Sequence, residues 1–540
     1  MDNKFEMVAK TFQGLEEVLA EELRAIGAEN VMPGRRMVSF EGDLEMLYRA
    51  NLQCRTALRI LKPFYKFRAG DADSLYEMVK EYDWSTLLSV DKTFAIDTVA
   101  NSDEFRHSRF VTYRVKDAIV DWFKDRLGED QRPGVRLNDA DVLINVHISG
   151  HDVILSLDSS GDSLHKRGYR VAQTEAPINE VLAAGIILRS GWRGDCPFVD
   201  PMCGSGTFLI EAALIAANIN PGIYRKGFAF ERWADFDGEL FDRLYNDDSH
   251  ERDVEFKIYG ADISPKAIDV AMANIKSAGV GRYIELERRP IAKWESAPQP
   301  AGILVTNPPY GERISAPDME GLYASIGSVL KHVFVGYHAW IIGYNEDYIA
   351  KIGMAPSEKI EILNGSLECQ LREYIVFEGD RKSFVRDGGK IGKGEAHTKG
   401  KVDRKDDRFG DRKERRFGDR GPRRERDRRF GDRESRFGDK ERRFGDRDRR
   451  GADGEEKRPR REGGFKSREG SFKGREGGFN RPERKFGERR ERFEQPMTPE
   501  IDSENPLAKR RNPHALKFVE GRRPKLFNTT VMRSRGKKKP

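Results

Sequence analysis

Cysteine is scarce in this chain: four residues in 540, Cys54, Cys196, Cys203 and Cys369, none in C-x-x-C spacing. That excludes a readable disulfide framework or zinc site and fits a reducing cytosol. Long apolar runs are missing as well. The longest, residues 209–219, carries Glu211 and is too short to span a bilayer, and the first residues hold no apolar core of signal-peptide length. A cytoplasmic protein with no membrane partner is expected. The turn Gly204-x-Gly206 has Leu209 where a dinucleotide-binding turn has its third glycine, and no Gly-Lys-Ser/Thr ending makes it a P-loop. Nor can a nucleophile-plus-histidine arrangement or a set of metal ligands be read, so no metal is expected.

What is abundant is charge, unevenly distributed. Residues 381–540 hold 54 Lys and Arg against 30 Asp and Glu, a net of +24, whereas residues 1–380 hold 43 against 60, a net of −17. The tail repeats Arg-Phe-Gly-Asp-Arg around Phe409, Phe417, Phe430, Phe437 and Phe444, and then places Phe465, Phe472, Phe479, Phe486 and Phe493 at seven-residue intervals. Glycine beside nearly every phenylalanine and a single apolar residue per repeat argue against a coiled coil. The expectation for 381–540 is a disordered basic tail. Its arginine and aromatic interleaving suits RNA through phosphate contacts and stacking, or a solvated polyampholyte spacer.

The first 380 residues alternate helical and strand patterns. Residues 5–11 read as a strand, and Leu15, Val18, Leu19, Leu23 and Ile26 recur at helical spacing up to Gly27. A β-rich piece at 31–40 and a helix at 44–50 complete a small α+β unit. Strands at 57–60, 93–99, 142–148 and 153–156 and helices at 75–82 and 113–127 follow, the last two strands flanking a turn at Gly150. Between them, residues 102–116 carry Arg106, His107, Arg109, Arg114 and Lys116. This is either an RNA-contacting surface or a solvated helix face.

From residue 178 the alternation is regular: helix 178–190, a short strand 197–199, helix 208–217, an aromatic insertion around Phe228, Phe230 and Trp233, strand 256–260, helix 265–278, strand 303–305, helix 322–332 and strand 339–342. A hairpin through Asn364-Gly365 closes it. Three turns at strand ends carry chemistry. Asp200-Pro-Met-Cys-Gly-Ser-Gly-Thr207 lets backbone approach a ligand at the positive end of a helix. Asp262 ends the second strand, where a carboxylate can take both hydroxyls of a ribose or simply complement a helix dipole. The third, Thr306-Asn-Pro-Pro-Tyr-Gly-Glu-Arg313, offers carbonyl oxygens almost alone between Asn307 and Tyr310, because two prolines remove N–H donors. With an exposed tyrosine to lie on a planar ring, such a loop suits a planar group bearing an NH2, such as a nucleobase. A Pro-Pro turn by itself more often only closes a strand.

In that order, the three turns resemble motifs of class I S-adenosylmethionine-dependent methyltransferases acting on amino groups. More narrowly, the chain resembles the THUMP-domain, RlmL-like rRNA methyltransferases that methylate guanine N2 in large-subunit rRNA. Supporting segments are Thr11-Phe-Gln-Gly-Leu-Glu16, Val115-Lys-Asp-Ala-Ile119, Lys166-Arg-Gly-Tyr-Arg170 and Asn364-Gly-Ser-Leu-Glu-Cys369. The resemblance implies an α/β Rossmann-like methyltransferase domain (161–380) preceded by α+β ferredoxin-like (1–45) and THUMP (46–160) domains. It implies S-adenosylmethionine held by Asp200, Pro201, Cys203, Gly204, Gly206, Thr207, Asp262, Ile263 and Asn307, with residues 176–180 closing the pocket. Asn307, Pro308 and Tyr310 would be catalytic, and Arg106, Arg109, Lys116, Arg167, Arg170 and Arg313 would contact RNA. Where the family often carries an acidic residue near the adenine amine, this chain reads Arg288-Arg-Pro-Ile-Ala292, so that contact is either missing or falls to backbone groups.

The function expected is therefore transfer of methyl to a guanine N2 of large-subunit rRNA, naked or in an early assembly intermediate. An amino methyltransferase acting on tRNA, DNA adenine or protein glutamine, and a non-enzymatic RNA-binding or ribosome-assembly factor, are the other classes. Neither the particular nucleotide nor the oligomeric state is legible in the sequence.

Overall fold

The computed structural model describes residues 4–137, 139–311 and 318–379, with positions 384 and 386. The basic tail and Arg313 lie outside the described residues. The N-terminal half runs β1 (Phe5–Lys10), α1 (Glu16–Ala25), β2 (Glu29–Gly34), β3 (Met37–Gly42), α2 (Leu44–Gln53), β4 (Arg59–Arg68), α3 (Ala72–Glu81), β5 (Thr93–Asn101), α4 (Ser108–Leu127), β6 (Gly134–Val135), β7 (Val142–Ser149) and β8 (Asp152–Asp158). These strands form one sheet in the order β2-β3-β1-β4-β8-β7-β5-β6. Two separate pieces were expected on either side of residue 45, and β4 is what joins them. Its start pairs with β1 (Ile60 opposite Ala9) and its length pairs with β8 (Leu61 opposite Asp158 through Arg68 opposite Asp152). Pro63, which cannot donate to a ladder, sits at the register shift between Pro63 and Tyr65, so the strand bends there instead of ending.

The second half contains α5 (Glu180–Arg189), β9 (Phe198–Asp200), α6 (Thr207–Ala216), α7 (Gly238–Asn246), β10 (Ile258–Asp262), α8 (Pro265–Ala278), β11 (Ile284–Arg288), β12 (Gly302–Thr306), α9 (Met319–His332), β13 (Tyr337–Gly343), α10 (Glu346–Ala350), β14 (Glu358–Asn364) and β15 (Leu367–Ile375). The sheet order is β11-β10-β9-β12-β13-β15-β14, parallel except for β15, which runs antiparallel to both β13 and β14. The chain order reverses between β9 and β12. In an open α/β sheet the crevice at the carboxyl ends of those two strands is where a ligand sits. Helix α8 begins and ends as its sequence dictates, with Ser264 capping Ala267 N–H at 3.3 Å, Pro265 in the first turn, and Gly279 in the left-handed conformation at its end.

The two halves are joined by buried polar and aromatic contacts. Tyr48 of α2 stacks on Phe230, ring centroids 4.6 Å apart, and its hydroxyl accepts from the Asp237 N–H at 2.9 Å. The aromatic insertion is thus the docking surface for the N-terminal half, and it contains the unforeseen helix α7. Arg225 donates to the carbonyls of Ser160, Asp162, Ser163 and Lys166, fixing the connection between the halves.

Candidate active site

At the switch point a single cleft of about 1280 Å³ is lined by the turn after β9, the turn after β10, the loop after β12, residues 173–180 and the β14–β15 turn. Gly204 and Gly206 both have positive φ, +52° and +80°. They do different work. A Cβ on Gly204 would meet only Thr174 Oγ1, at 3.9 Å, so this position opens onto the cleft and lets main chain face a ligand. A Cβ on Gly206 would lie 3.1 Å from the Ala271 Cβ, so this glycine permits the close approach of α6 to α8. Gly206 itself is not among the residues that line the cleft, whereas its neighbours Gly204, Ser205 and Thr207 are. Helix α6 starts there without a side-chain cap, leaving the N–H groups of its first turn at the cleft end.

Asp200, 1% exposed, accepts from the Thr306 hydroxyl at 2.9 Å and from the Met202 N–H at 3.2 Å. Burial, with a smaller push from the negative charge of Asp262, raises its carboxyl to about 7. Asp262 takes the Gly204 N–H on one oxygen (3.0 Å) and the Ser264 N–H on the other (2.8 Å). A carboxylate offers about four acceptor positions, so two remain for hydroxyl groups in the cleft. Pro201, Cys203 and Thr207 are buried and line the cleft, the Cys203 thiol being pushed up by burial, whereas the Ile263 side chain is 64% exposed at its lip. Ile263, Pro290, Ile291 and Ala292 make an apolar wall beyond Asp262. Arg288 turns back to the Ile263 carbonyl (3.2 Å), and Arg289 lies over the Trp294 ring and pairs with Glu287 at 2.8 Å.

The loop after β12 differs from expectation in one respect. Asn307, Pro308 and Pro309 line the cleft, and Tyr323 donates to the Pro309 carbonyl at 3.2 Å, holding the loop. Tyr310 lines the cleft too, but is half-buried instead of exposed. Its hydroxyl donates to Asn307 Oδ1 and accepts from Asn364 Nδ2 at 3.1 Å. The Tyr310 hydroxyl satisfies one of the two acceptor positions of Asn307 Oδ1.

Of the expected RNA-contacting arginines, Arg106 and Arg109 are exposed, beside exposed Phe110 and Tyr113 (55% each) at the start of α4. Lys116 is half-buried and paired with Asp117 at 2.6 Å, and Arg114 pairs with Asp73. Arg167 is 2% exposed and cannot present charge to a polymer. Its guanidinium is spent on the Arg55 and Leu164 carbonyls and on Glu211, 3.5 Å away, which the Tyr169 hydroxyl also reaches at 2.9 Å. Arg170 belongs to the cleft wall: it bonds Glu180 (2.7 Å), Ser205 and Thr207 hydroxyls (3.0 Å each) and the Ile178 carbonyl (3.1 Å). It thereby ties the 176–180 segment to the glycine turn. Asn274 was not foreseen. Fully buried on α8, it accepts from the Val171 and Ala172 N–H groups and donates to the Ala172 and Ser205 carbonyls, and its only sequence signal is a polar residue on an apolar helix face.

A Rossmann-like sheet with a glycine turn, a ribose-competent carboxylate and an Asn-Pro-Pro-Tyr loop meeting at one switch point defines the methyltransferase class of fold. Residues 167–373 match the RMKL-like methyltransferase domain, residues 6–61 the RlmL ferredoxin-like domain and residues 69–158 the THUMP domain. The chain belongs to this THUMP-containing, RlmL-like methyltransferase family. It is 40% identical over 391 residues to a "Ribosomal RNA large subunit methyltransferase K/L" of Syntrophotalea carbinolica, covering 70% of this chain and 54% of that one. It is 38% identical to a "Putative RNA methyltransferase" of Synechocystis, covering 68% of this chain and 96% of the relative. The chain thus spans about half the length of the K/L relatives it matches. Among solved structures, a "putative methyltransferase complexed with SAH" aligns with 31% identity and a TM-score of 0.63, over 70% of this chain and 100% of that one. The ferredoxin-like match runs to residue 61 and so takes in the start of β4, the strand both N-terminal domains share.

Proposed function

We propose that this chain is an S-adenosylmethionine-dependent RNA methyltransferase that acts on the exocyclic N2 of a guanine in large-subunit rRNA. The observation that carries the reading is the meeting of an amine-accepting loop (Asn307, Pro308, Pro309) and an open glycine turn (Gly204) in one cleft. The residues present fit the cofactor. Gly204 leaves room for its methionine part against the main chain, Asp262 has acceptor positions left for its ribose hydroxyls, and the wall of Ile263, Pro290, Ile291 and Ala292 suits the flat adenine, whose amine is left to backbone groups. Bound there, it supplies an electrophilic methyl on a sulfonium.

The protein's part is to make a poor nucleophile attack. The guanine amine lone pair is delocalised into the ring. Asn307 Oδ1 and the Pro308 carbonyl, each accepting one amine hydrogen, favour a pyramidal nitrogen whose lone pair points at the methyl. As the new N–C bond forms, the old S–C bonding pair stays with sulfur and the amine becomes acidic. One proton then leaves to water, so no strong base is required. Tyr310 moves off Asn307 as the base enters, and its freed ring then stacks on the extruded base.

The large-subunit name carried by relatives of both halves, and a THUMP domain ahead of the catalytic one, favour rRNA over other amine-bearing substrates. Arg106 and Arg109, with the exposed rings of Phe110 and Tyr113, are the proposed RNA contacts, in the cytoplasm and on rRNA that is naked or in early assembly. Nucleoside mass spectrometry of rRNA and tRNA from cells with and without the gene tests the reading. Loss of N2-methylguanosine from large-subunit rRNA is expected, and an unchanged profile refutes it.

A further inference from the structure

The turn between β14 and β15, residues 364–369, has no part in holding the cofactor or accepting the amine, yet it forms a wall of the same cleft through Asn364, Gly365 and Leu367. Gly365, with φ +66°, makes the tight turn that pairs Asn364 with Leu367. The turn grips Tyr310 from behind: Asn364 Nδ2 donates to its hydroxyl at 3.1 Å, and the buried Cys369 thiol lies against that hydroxyl. The same hydroxyl donates to Asn307 Oδ1. One tyrosine oxygen therefore bridges the amine-accepting asparagine and a second carboxamide across the cleft. When Tyr310 leaves, both carboxamides lose that partner together, and what takes its place must satisfy both.

We propose that Asn364 reads the Watson–Crick edge of the acceptor base, in the position the Tyr310 hydroxyl vacates. The inference rests on the guanine-N2 reading above. With the N2 amine on Asn307, the neighbouring ring atoms of guanine are a donor, N1–H, and then an acceptor, O6. A carboxamide meets that pair with its oxygen on N1–H and its NH2 on O6. With adenine's one amine, N6, on Asn307, the next positions along its edge are an acceptor, N1, and a bare C2–H, which give a carboxamide no donor–acceptor pair to meet. A polar group built to pair with a substrate rejects an analogue that leaves it unpaired.

The test uses the full-length protein and an rRNA fragment containing its target, made with guanine or with 2-aminopurine at that position. 2-Aminopurine keeps the 2-amino group but has an acceptor at N1 and no O6. The wild-type protein is expected to prefer guanine by about 100-fold in kcat/KM, and Asn364→Ala to lose about 10- to 100-fold on guanine while changing little on 2-aminopurine, with cofactor affinity unaltered. Guanine methylation at the wild-type rate by Asn364→Ala overturns the inference. So does an equal loss on both bases, which would mean that the turn merely props the loop. If the wild-type protein forms no N2-methylguanosine, the guanine reading itself fails and takes this inference with it, whereas N2-methylguanosine formed by a protein indifferent to Asn364 overturns the inference alone.

Discussion

Asp200 makes the stability of this protein depend on pH in a direction opposite to that of an ordinary paired carboxylate. Burial, the largest cause, raises its carboxyl from 3.8 to about 7, with the charge of Asp262 adding to it against the hydrogen bonds from Thr306 and Met202. Between those two values the unfolded chain holds Asp200 ionised while the native state binds a proton, so stability is present at low pH and is lost as pH rises. At about 1.4 kcal/mol per unit, a shift of roughly three units amounts to about 4 kcal/mol across the window, with no further change above it. Other carboxylates titrate in the same range, but they cancel in the comparison with Asp200→Asn, which keeps the shape and cannot ionise. Urea unfolding of both proteins from pH 4.5 to 8.5 should show the wild type losing ground to Asp200→Asn by about 3–4 kcal/mol, with most of the change complete near pH 7. A difference that stays flat within about 0.5 kcal/mol over that range, or that moves the other way, would refute the reasoning.

Three further outcomes follow from the packing. Gly206→Ala should destabilise by about 1–2 kcal/mol in urea unfolding, because it forces a side chain into a left-handed backbone and against Ala271; a neutral effect would contradict the role assigned to this glycine. Arg167→Met should lower stability by about 3–5 kcal/mol at pH 8 and by less at pH 6. Glu211, already raised by burial and with one oxygen lacking a partner, takes up a proton more readily as pH falls, so an equal loss at both pH values would count against the buried pair. The double substitution Arg106→Glu, Arg109→Glu should weaken RNA binding by about tenfold or more at low salt and reduce the slope of affinity against salt, while leaving cofactor affinity alone; unchanged filter-binding curves would move the RNA surface elsewhere.

The parts of this protein that could be read from its sequence are those fixed by local covalent constraints. Two prolines after a strand, glycines at positive φ before a helix, and Ser264-Pro265 at a helix start each dictate backbone geometry by themselves, and each lies where it was placed. What could not be read depends on partners distant in the chain. Arg167 looks like a surface cation beside Lys166 and Arg170, and only Glu211 and the Arg55 carbonyl, far away in sequence, make it a core residue. The strand read over 57–60 falls short of β4 because nothing local says that β8 will accept a bulge past Pro63. Strand β11 alternates Ile-Glu-Leu-Glu and could have been found by its period, but its charged outer residues suit the edge of the sheet and resemble a loop. Tyr310 reads as exposed in the loop sequence because its socket is supplied by Asn364 and Cys369, distant in the chain.

The central claim is that Asn307 holds a guanine amine for methylation. Its most direct measurement incubates the purified full-length protein, wild type and Asn307→Ala, with unmodified large-subunit rRNA and isotope-labelled S-adenosylmethionine, followed by nucleoside mass spectrometry and a separate measurement of cofactor binding. The account predicts labelled N2-methylguanosine at one position with the wild type, a loss of about 100-fold or more with Asn307→Ala, and a far smaller change in cofactor affinity. Label in another nucleoside, or methylation that survives in Asn307→Ala, would contradict it.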